Sequence, residues 1–351
     1  MPTNLREPYR RPGSAGDPVV STPSPPRIPA NKSATAAVPV GPASAIARLG
    51  GHSGGALALA FSPDRGSLAS AGRDGTSRLW DFGSGSPGER AMLGASGRRV
   101  QSLTFSAKGQ MVVAGSGALD GVIWVFDLSG KSPREAHTLR GARGAVHALA
   151  ISPDGLLVAG AGEDRALRIW EPTPGSRGEP RAHLAGHTGP IRTLAFAPDG
   201  QSAATGSDDS TVRLWTVNRI RSTEKAMLQH PSGVTALAFT PDGQTLLTGA
   251  RDGVIRVWNV AATKPEKRAE LAAQAGGLRL LVITPDARSL VSVADGPRAV
   301  HWDLQAGRPM REWGLPAGTN AAVGVTGDGR YLAMGRESGS IEVYRIAEKR
   351  G

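Results

Sequence analysis

The chain has no cysteine in 351 residues, which excludes disulfides, thiolate metal sites and a cysteine nucleophile. No stretch approaches the ~18 apolar residues of a membrane-spanning helix. The opening MPTNLREPYRRPGSAGDPVV lacks the apolar run of a signal peptide. A cytoplasmic protein without membrane insertion is therefore expected. Aromatic residues make up only 5%, so there is little to interleave between nucleobases. Acids are in deficit as well: 30 Asp and Glu stand against 41 Lys and Arg, a net charge of +11. That balance favours acidic partners and permits nucleic acid, but it says nothing about fold. Helical periodicity of apolar residues is missing throughout.

Glycine and proline are plentiful, at 47 and 26, which points to many turns. Ten of the prolines fall in residues 1–43, among Ser, Ala and Gly. With little to bury, this segment reads as a disordered tail. Its charge is basic, from Arg6, Arg10, Arg11, Arg27 and Lys32 against Glu7 and Asp17.

Beyond the tail a pattern recurs: FSPDRGSLASAGRDGTSRLWD from Phe61, ISPDGLLVAGAGEDRALRIWE from Ile151, FAPDGQSAATGSDDSTVRLWT from Phe196 and FTPDGQTLLTGARDGVIRVWN from Phe239. A further copy starts at Phe105 and two weaker ones at Ile283 and Val325, and the seven starts are 42 to 46 residues apart. Such a period marks a repeat architecture. In each copy short apolar runs are split by SPDG-like turns, in which Pro presets φ, Asp bonds its local backbone and Gly accepts φ above zero. Four short strands per copy indicate an antiparallel sheet repeated seven times.

The Gly-His dipeptides (Gly51-His52, Gly186-His187), the SPDG turns, the Asp before the third strand and the endings Trp80-Asp81 and Trp302-Asp303 resemble the WD40 repeat family. The resemblance covers about residues 44–346. It implies an all-β fold, a seven-bladed WD40 β-propeller with a disordered N-terminal tail, probed by three expectations. Residues 45–50 close the ring as the outer strand of the last blade. Residues 347–351 form a short C-terminal tail. The propeller itself is monomeric.

His187, Thr205 and Asp209 have the residue types of a catalytic triad, but the resemblance assigns them, with Trp215, to a hydrogen-bonded chain inside one blade. The same set recurs as His52, Ser70, Asp74, Trp80 and as His230, Thr248, Asp252, Trp258. Three copies in three blades speak for structure, and no catalytic residue is assigned. The remaining repeats carry broken sets: Ser96 and Phe126 in the second, Ala142 and Gly160 in the third, Gln274 and Gly296 in the sixth, Pro316, Ser338 and Tyr344 in the seventh. The sixth and seventh blades are accordingly expected to be the weakest. Arginines two residues before the repeated Trp (Arg78, Arg168, Arg213, Arg256) read as structural strand-surface residues. Trp124 and Trp313 are out of phase and open to exposure.

His183 and His187 have an HxxxH spacing, but on a strand and without a third ligand, so no metal is assigned. GSGALDG (Gly115–Gly121) opens no helix and reads as an expanded turn, not a phosphate cradle. No cofactor is assigned.

The resemblance also marks ring positions on the face where WD40 partners dock. They hold Arg73, Leu119, Glu163, Asp208, Arg251, Asp295 and Glu337 at the turn before the third strand. Beside the first strand stand Arg99, Gln101, His147, Arg192 and Arg279, among others. Five arginines, Arg73, Arg99, Arg192, Arg251 and Arg279, thus surround one channel mouth. Guanidinium suits carboxylate or phosphate recognition, whereas the neighbouring acids allow ordinary ion pairs. The expectation is a non-catalytic scaffold binding an acidic or phosphorylated peptide, with a nucleic-acid-associated basic propeller as the alternative and a propeller enzyme as the third reading.

Overall fold

The computed structural model describes residues 40–42, 45–82, 87–218, 221–271, 274–296, 298–316 and 322–346. All described regular structure is β-strand, arranged as seven antiparallel blades. In the first blade the strands run outward in the order Ala56–Phe61, Ser67–Gly72, Thr76–Asp81 and Gly88–Ala95. The next five blades repeat this order. The first strands of successive blades contact one another around the ring, and that of the seventh (Ala322–Val325) meets that of the first. A circle of inner strands therefore surrounds a central channel.

Burial follows from the stacking. The second strand of the fifth blade, TLLTGA, is buried at every position, since a neighbouring blade covers each of its faces. Outer strands such as TEKAMLQ (Thr223–Gln229) are largely exposed. The apolar core is accordingly not one mass. It divides into seven clusters, and each joins two adjacent blades: Leu79 of the first blade packs with Val112 and Phe126 of the second. Leu49 and Ile341 of the seventh pack with Leu59, Leu68 and Trp80 of the first. Of the out-of-phase tryptophans, Trp313 is 3% exposed and sits in the cluster between blades six and seven. Trp124 is half-buried between blades one and two.

The turn chemistry is visible bond by bond. Asp64 Oδ1 accepts from the Gly66 N–H at 3.0 Å, and Ser62 Oγ accepts from the Ser67 N–H at 2.9 Å. Gly155, Gly200 and Gly243 hold positive φ at the tip. Where glycine is replaced, Arg65 and Ala287 adopt the same left-handed conformation, with φ of 64° and 55°.

Ala45–Leu49 pairs with Ile341–Arg345 as the outer strand of the seventh blade. One boundary differs from the sequence reading. Val40–Pro42, assigned there to the disordered tail, form a strand parallel to Arg308–Gly314 on the outer edge of the sixth blade. An open edge accepts any strand with free N–H and C=O groups, and Pro42, lacking an N–H, stands at its end. Residues 40–42 thus pair with blade six and residues 45–49 with blade seven. Residues 1–39 and 347–351, the rest of the expected tails, lie outside the described residues.

Deleting residues 45–49 removes that ladder and uncovers the Leu49 cluster. A fall in melting temperature of about 10 °C or more is expected, whereas deleting 1–39 should leave the melt within ~2 °C; equal melts for both truncations would contradict this. Ala287→Gly relieves the left-handed penalty at an exposed turn and should stabilise by about 0.5–1 kcal/mol, read from urea unfolding.

Candidate functional site

The His–Ser/Thr–Asp–Trp sets decide whether the molecule carries a triad. In the first blade the Trp80 indole N–H donates to Ser70 Oγ at 2.7 Å, and that oxygen lies 2.7 Å from His52 Nε2. His52 Nδ1 lies 3.0 Å from Asp74, which also accepts from the Ser53 and Thr76 N–H groups. The fourth blade repeats this with Trp215, Thr205, His187 and Asp209, each link 2.8 Å long. Both histidines have side chains with no exposed surface. The hydroxyl is saturated by an indole and an imidazole inside a packed blade interface, so no substrate atom can reach it. These are satisfied core groups.

The third set departs from expectation. Trp258 donates to Thr248, and His230 Nε2 lies 2.8 Å from the same hydroxyl, but His230 Nδ1 lies 3.2 Å from the Leu228 carbonyl and not on Asp252. Two neighbours explain the break. Pro231 follows His230 where Ser53 and Thr188 supply an N–H to the aspartate, and Val254 replaces the Thr76 and Thr211 hydroxyls. Asp252 is held instead by Arg256, 2.7 Å away and nearly buried. Arg168 and Asp164 pair likewise in the third blade, whereas Arg78 and Arg213 reach Glu89 and Glu224 on outer strands.

Two repeats that read as broken hold substitute chains. In the sixth blade Trp302 donates to Ser292, whose hydroxyl lies 2.8 Å from Gln274 Oε1. In the seventh, Tyr344, Glu342 and Arg336 form a buried cluster. Among the described residues no three His, Asp or Glu side chains gather as metal ligands, and His187 of the HxxxH pair has both ring nitrogens engaged.

Burial pushes the His52 and His187 rings below their usual titration range, against the opposing pull of Asp74 and Asp209. His230 is lowered to about 4, first by burial and then by the Arg256 charge, although the Leu228 carbonyl opposes it. Burial tends to raise Asp209, but the Thr211 hydroxyl, the Thr188 N–H and His187 outweigh it and hold the carboxyl at about 2.

The channel face is the second candidate. Arg99, Gln101, His147, Arg192, Arg251 and Arg279 line, with Leu57, a mouth of 520 Å³. All of them except Arg99 also line the 590 Å³ channel beneath. Arg73, the fifth expected arginine, lies outside this lining and is exposed. Three of the arginines are paired. Asp208 receives Arg192 and Arg251, each at 2.6 Å, and Arg279 bonds Asp295. Arg192 also lies 3.5 Å from Glu163.

His147 sits amid this network, with Gln101 Nε2 2.6 Å from Nδ1 and Glu163 Oε1 2.6 Å from Nε2. Arg192 Nη1 approaches that same Nε2 at 2.8 Å. An Nε2–H donating to Glu163 cannot also accept from Arg192, so the tautomer decides which neighbour the ring holds. Burial lowers the pKa of this ring, with Glu163 opposing.

Arg99 and Arg73 stand apart. Arg99 donates to the Gly117 carbonyl through Nε and Nη2 and meets no carboxylate among the described residues. The loop there also differs from its place in the sequence reading. The Gly117 N–H donates to the Arg99 carbonyl as the Arg73 N–H donates to that of Gly55. Gly117, not Leu119, therefore occupies the turn position, and the two extra residues lift Leu119 outward, where it is 90% exposed.

A closed ring of seven four-stranded blades, with repeated polar chains and an open channel, is a β-propeller of the repeat class. Residues 43–81, 133–171, 178–216 and 222–259 each match the WD domain, G-beta repeat model. Together with the seven-bladed ring this makes the chain a WD40-repeat propeller. It is also similar to Periodic tryptophan protein 2 of Arabidopsis thaliana, 34% identical over 120 residues. That stretch is 34% of this chain and 13% of that protein.

A histidine depressed in the folded state costs stability as pH falls from the unfolded pKa near 6.5 to the folded one, because the unfolded chain takes up the proton first. Stability should thus drop between pH 6.5 and about 4, with His230 contributing roughly 2–3 kcal/mol of the loss. His230→Gln should give a shallower melting-temperature curve across that range. Parallel curves for variant and wild type would count against this assignment.

Proposed function

We propose that the protein is a non-catalytic docking scaffold that binds an acidic or phosphorylated peptide segment at the arginine-lined channel mouth. The observation that carries this reading is the lining itself. Four arginines from four blades enclose one open cavity, where a bound anion is partly withdrawn from water. Asp208, Asp295 and Glu163 hold three of them in place, so less side-chain freedom is lost on binding. The hydroxyls with triad-like neighbours are occupied within blade interfaces, which supports a binding role over a catalytic one. Among the described residues no Phe, Tyr or Trp lines the mouth, which weighs against nucleic acid.

A synthetic array of short Asp/Glu-rich and phosphoserine peptides, probed with the full chain, tests this. Arg99→Ala, Arg192→Ala and Arg279→Ala together should weaken the best peptide at least ~100-fold, with the fold checked by melting. Unchanged binding by the triple variant would remove the site. Capture of a single-stranded oligonucleotide that washes off steeply with salt would put the nucleic-acid reading in its place.

A further inference from the structure

The positive charge of the ring is not evenly neutralised, and the imbalance falls in one sector. Around blades three to six, Arg192, Arg251 and Arg279 alternate with Glu163, Asp208 and Asp295, and every arginine touches a carboxylate. Blades one and two carry Arg73 and Arg99, and neither has an ion pair among the described residues. The acids of that sector are engaged elsewhere: Asp74 by His52, and Asp120 by Arg98 and Ser116. Glu337 lies beyond Gly55 on the seventh blade and ion-pairs with neither arginine.

The two arginines are neighbours by the logic of the ring. The turn of each blade lies against the first-strand entry of the next. A Cβ on Gly233 would meet Asp208 at 3.2 Å, and one on Gly277 would meet Arg251 at the same distance. Arg99 holds the corresponding entry position after Arg73. On its other side, a Cβ on Gly117 would meet the Arg99 side chain at 2.7 Å, so the expanded loop leans on Arg99. The Leu119 carbonyl accepts from the Gly144 N–H, which ties the loop towards the third blade. Its side chain is nevertheless 90% exposed, the highest value among the described large apolar residues. Leu57 of the first blade lines the mouth together with Arg99.

We propose that Arg73, Arg99 and Leu119 form the specificity subsite of this face, receiving a phosphorylated serine or threonine next to a bulky apolar residue. This rests on the docking function proposed above and assigns the sector and the ligand. Two uncompensated guanidiniums match the charge of about −2 that one phosphoryl group carries near neutral pH. Arg99 is oriented by its two bonds to the Gly117 carbonyl while Nη1 stays available. An exposed leucine two residues beyond Gly117, on which Arg99 is braced, provides apolar surface that a partner can cover.

The test measures fluorescence anisotropy of the full chain with phosphoserine peptides that carry one leucine at varied offsets, each matched by a Glu-substituted and an unphosphorylated copy. The expected result is a preferred offset. Arg73→Ala with Arg99→Ala should then weaken binding ~100-fold or more. Leu119→Ser should weaken it ~10-fold and erase the offset preference. Lys108→Ala, in the turn between the first two strands of the second blade, serves as the control and should change nothing.

Loss only with Arg192→Ala and Arg279→Ala, the first double variant binding normally, would overturn this sector while leaving the docking function standing. Equal affinity for the Glu copies would overturn the phosphate assignment. No peptide bound above the unphosphorylated copy would overturn both.

Discussion

A sheet of four short strands cannot cover its own two faces. Every blade here depends on its neighbours for that cover, and the dependence runs once around the ring and returns to its start. The division of the core into seven clusters, each spanning two blades, is its direct expression. Stability in such a molecule is a sum of nearest-neighbour terms, with one difference from an open array. Because the ring has no terminal blade, no face is left over. Here the ring is closed by a shared sheet, in which Ala45–Leu49, from before the first blade, pairs with Ile341–Arg345, the last described strand.

Within that scheme the buried tryptophan sets a second requirement, an acceptor for its indole N–H. Five blades meet it in four ways: a full chain to aspartate in the first and fourth, a chain ending at histidine in the fifth, glutamine in the sixth, and the Arg140 carbonyl in the third. Reading the sequence for one motif found the full chains and overcounted the fifth. The disqualifying residues, Pro231 and Val254, are plain in the sequence. They matter only once it is known that a backbone N–H and a hydroxyl supply the aspartate. The sixth blade was undervalued for the opposite reason: glutamine presents an oxygen where histidine presents a nitrogen, and either can face a serine hydroxyl. The seventh has no tryptophan at that position and is held by Tyr344, Glu342 and Arg336, a different constellation that no search for the repeat motif detects.

The fold was legible because repetition lets seven weak patterns reinforce one another, and the period alone sets the number of blades. The channel face was legible in membership and not in state. Of the ring positions, Arg99, Gln101, His147, Arg192, Arg251 and Arg279 line the mouth, where the backbone of each repeat places them, and Arg73 and Leu119 do not. Which arginines are neutralised depends on side-chain reach between blades, as when Arg251 crosses to Asp208 of the preceding blade. Sequence spacing does not carry that information. Leu119 shows the limit most clearly. Two inserted residues keep Asp120 in register but hand the turn position to Gly117, so a residue counted into the ring stands above it.

Closure by Ala45–Leu49 also has a consequence in time. Leu49 emerges from the ribosome early, while Ile341, its partner in the ladder, follows about 300 residues later. At roughly 5–20 residues per second, that strand waits on the order of 15–60 s with its ladder groups unmatched. Blades one to six can stack on one another as they are made, but the ring is sealed only after Ile341–Arg345 has been translated. The short parallel pairing of Val40–Pro42 cannot guard this interval, because its own partner, Arg308–Gly314, is almost as late. A nascent propeller of this design is an open arc with one exposed strand at its leading edge. Its exposure to chaperones, proteases and other nascent copies is set by the speed of translation.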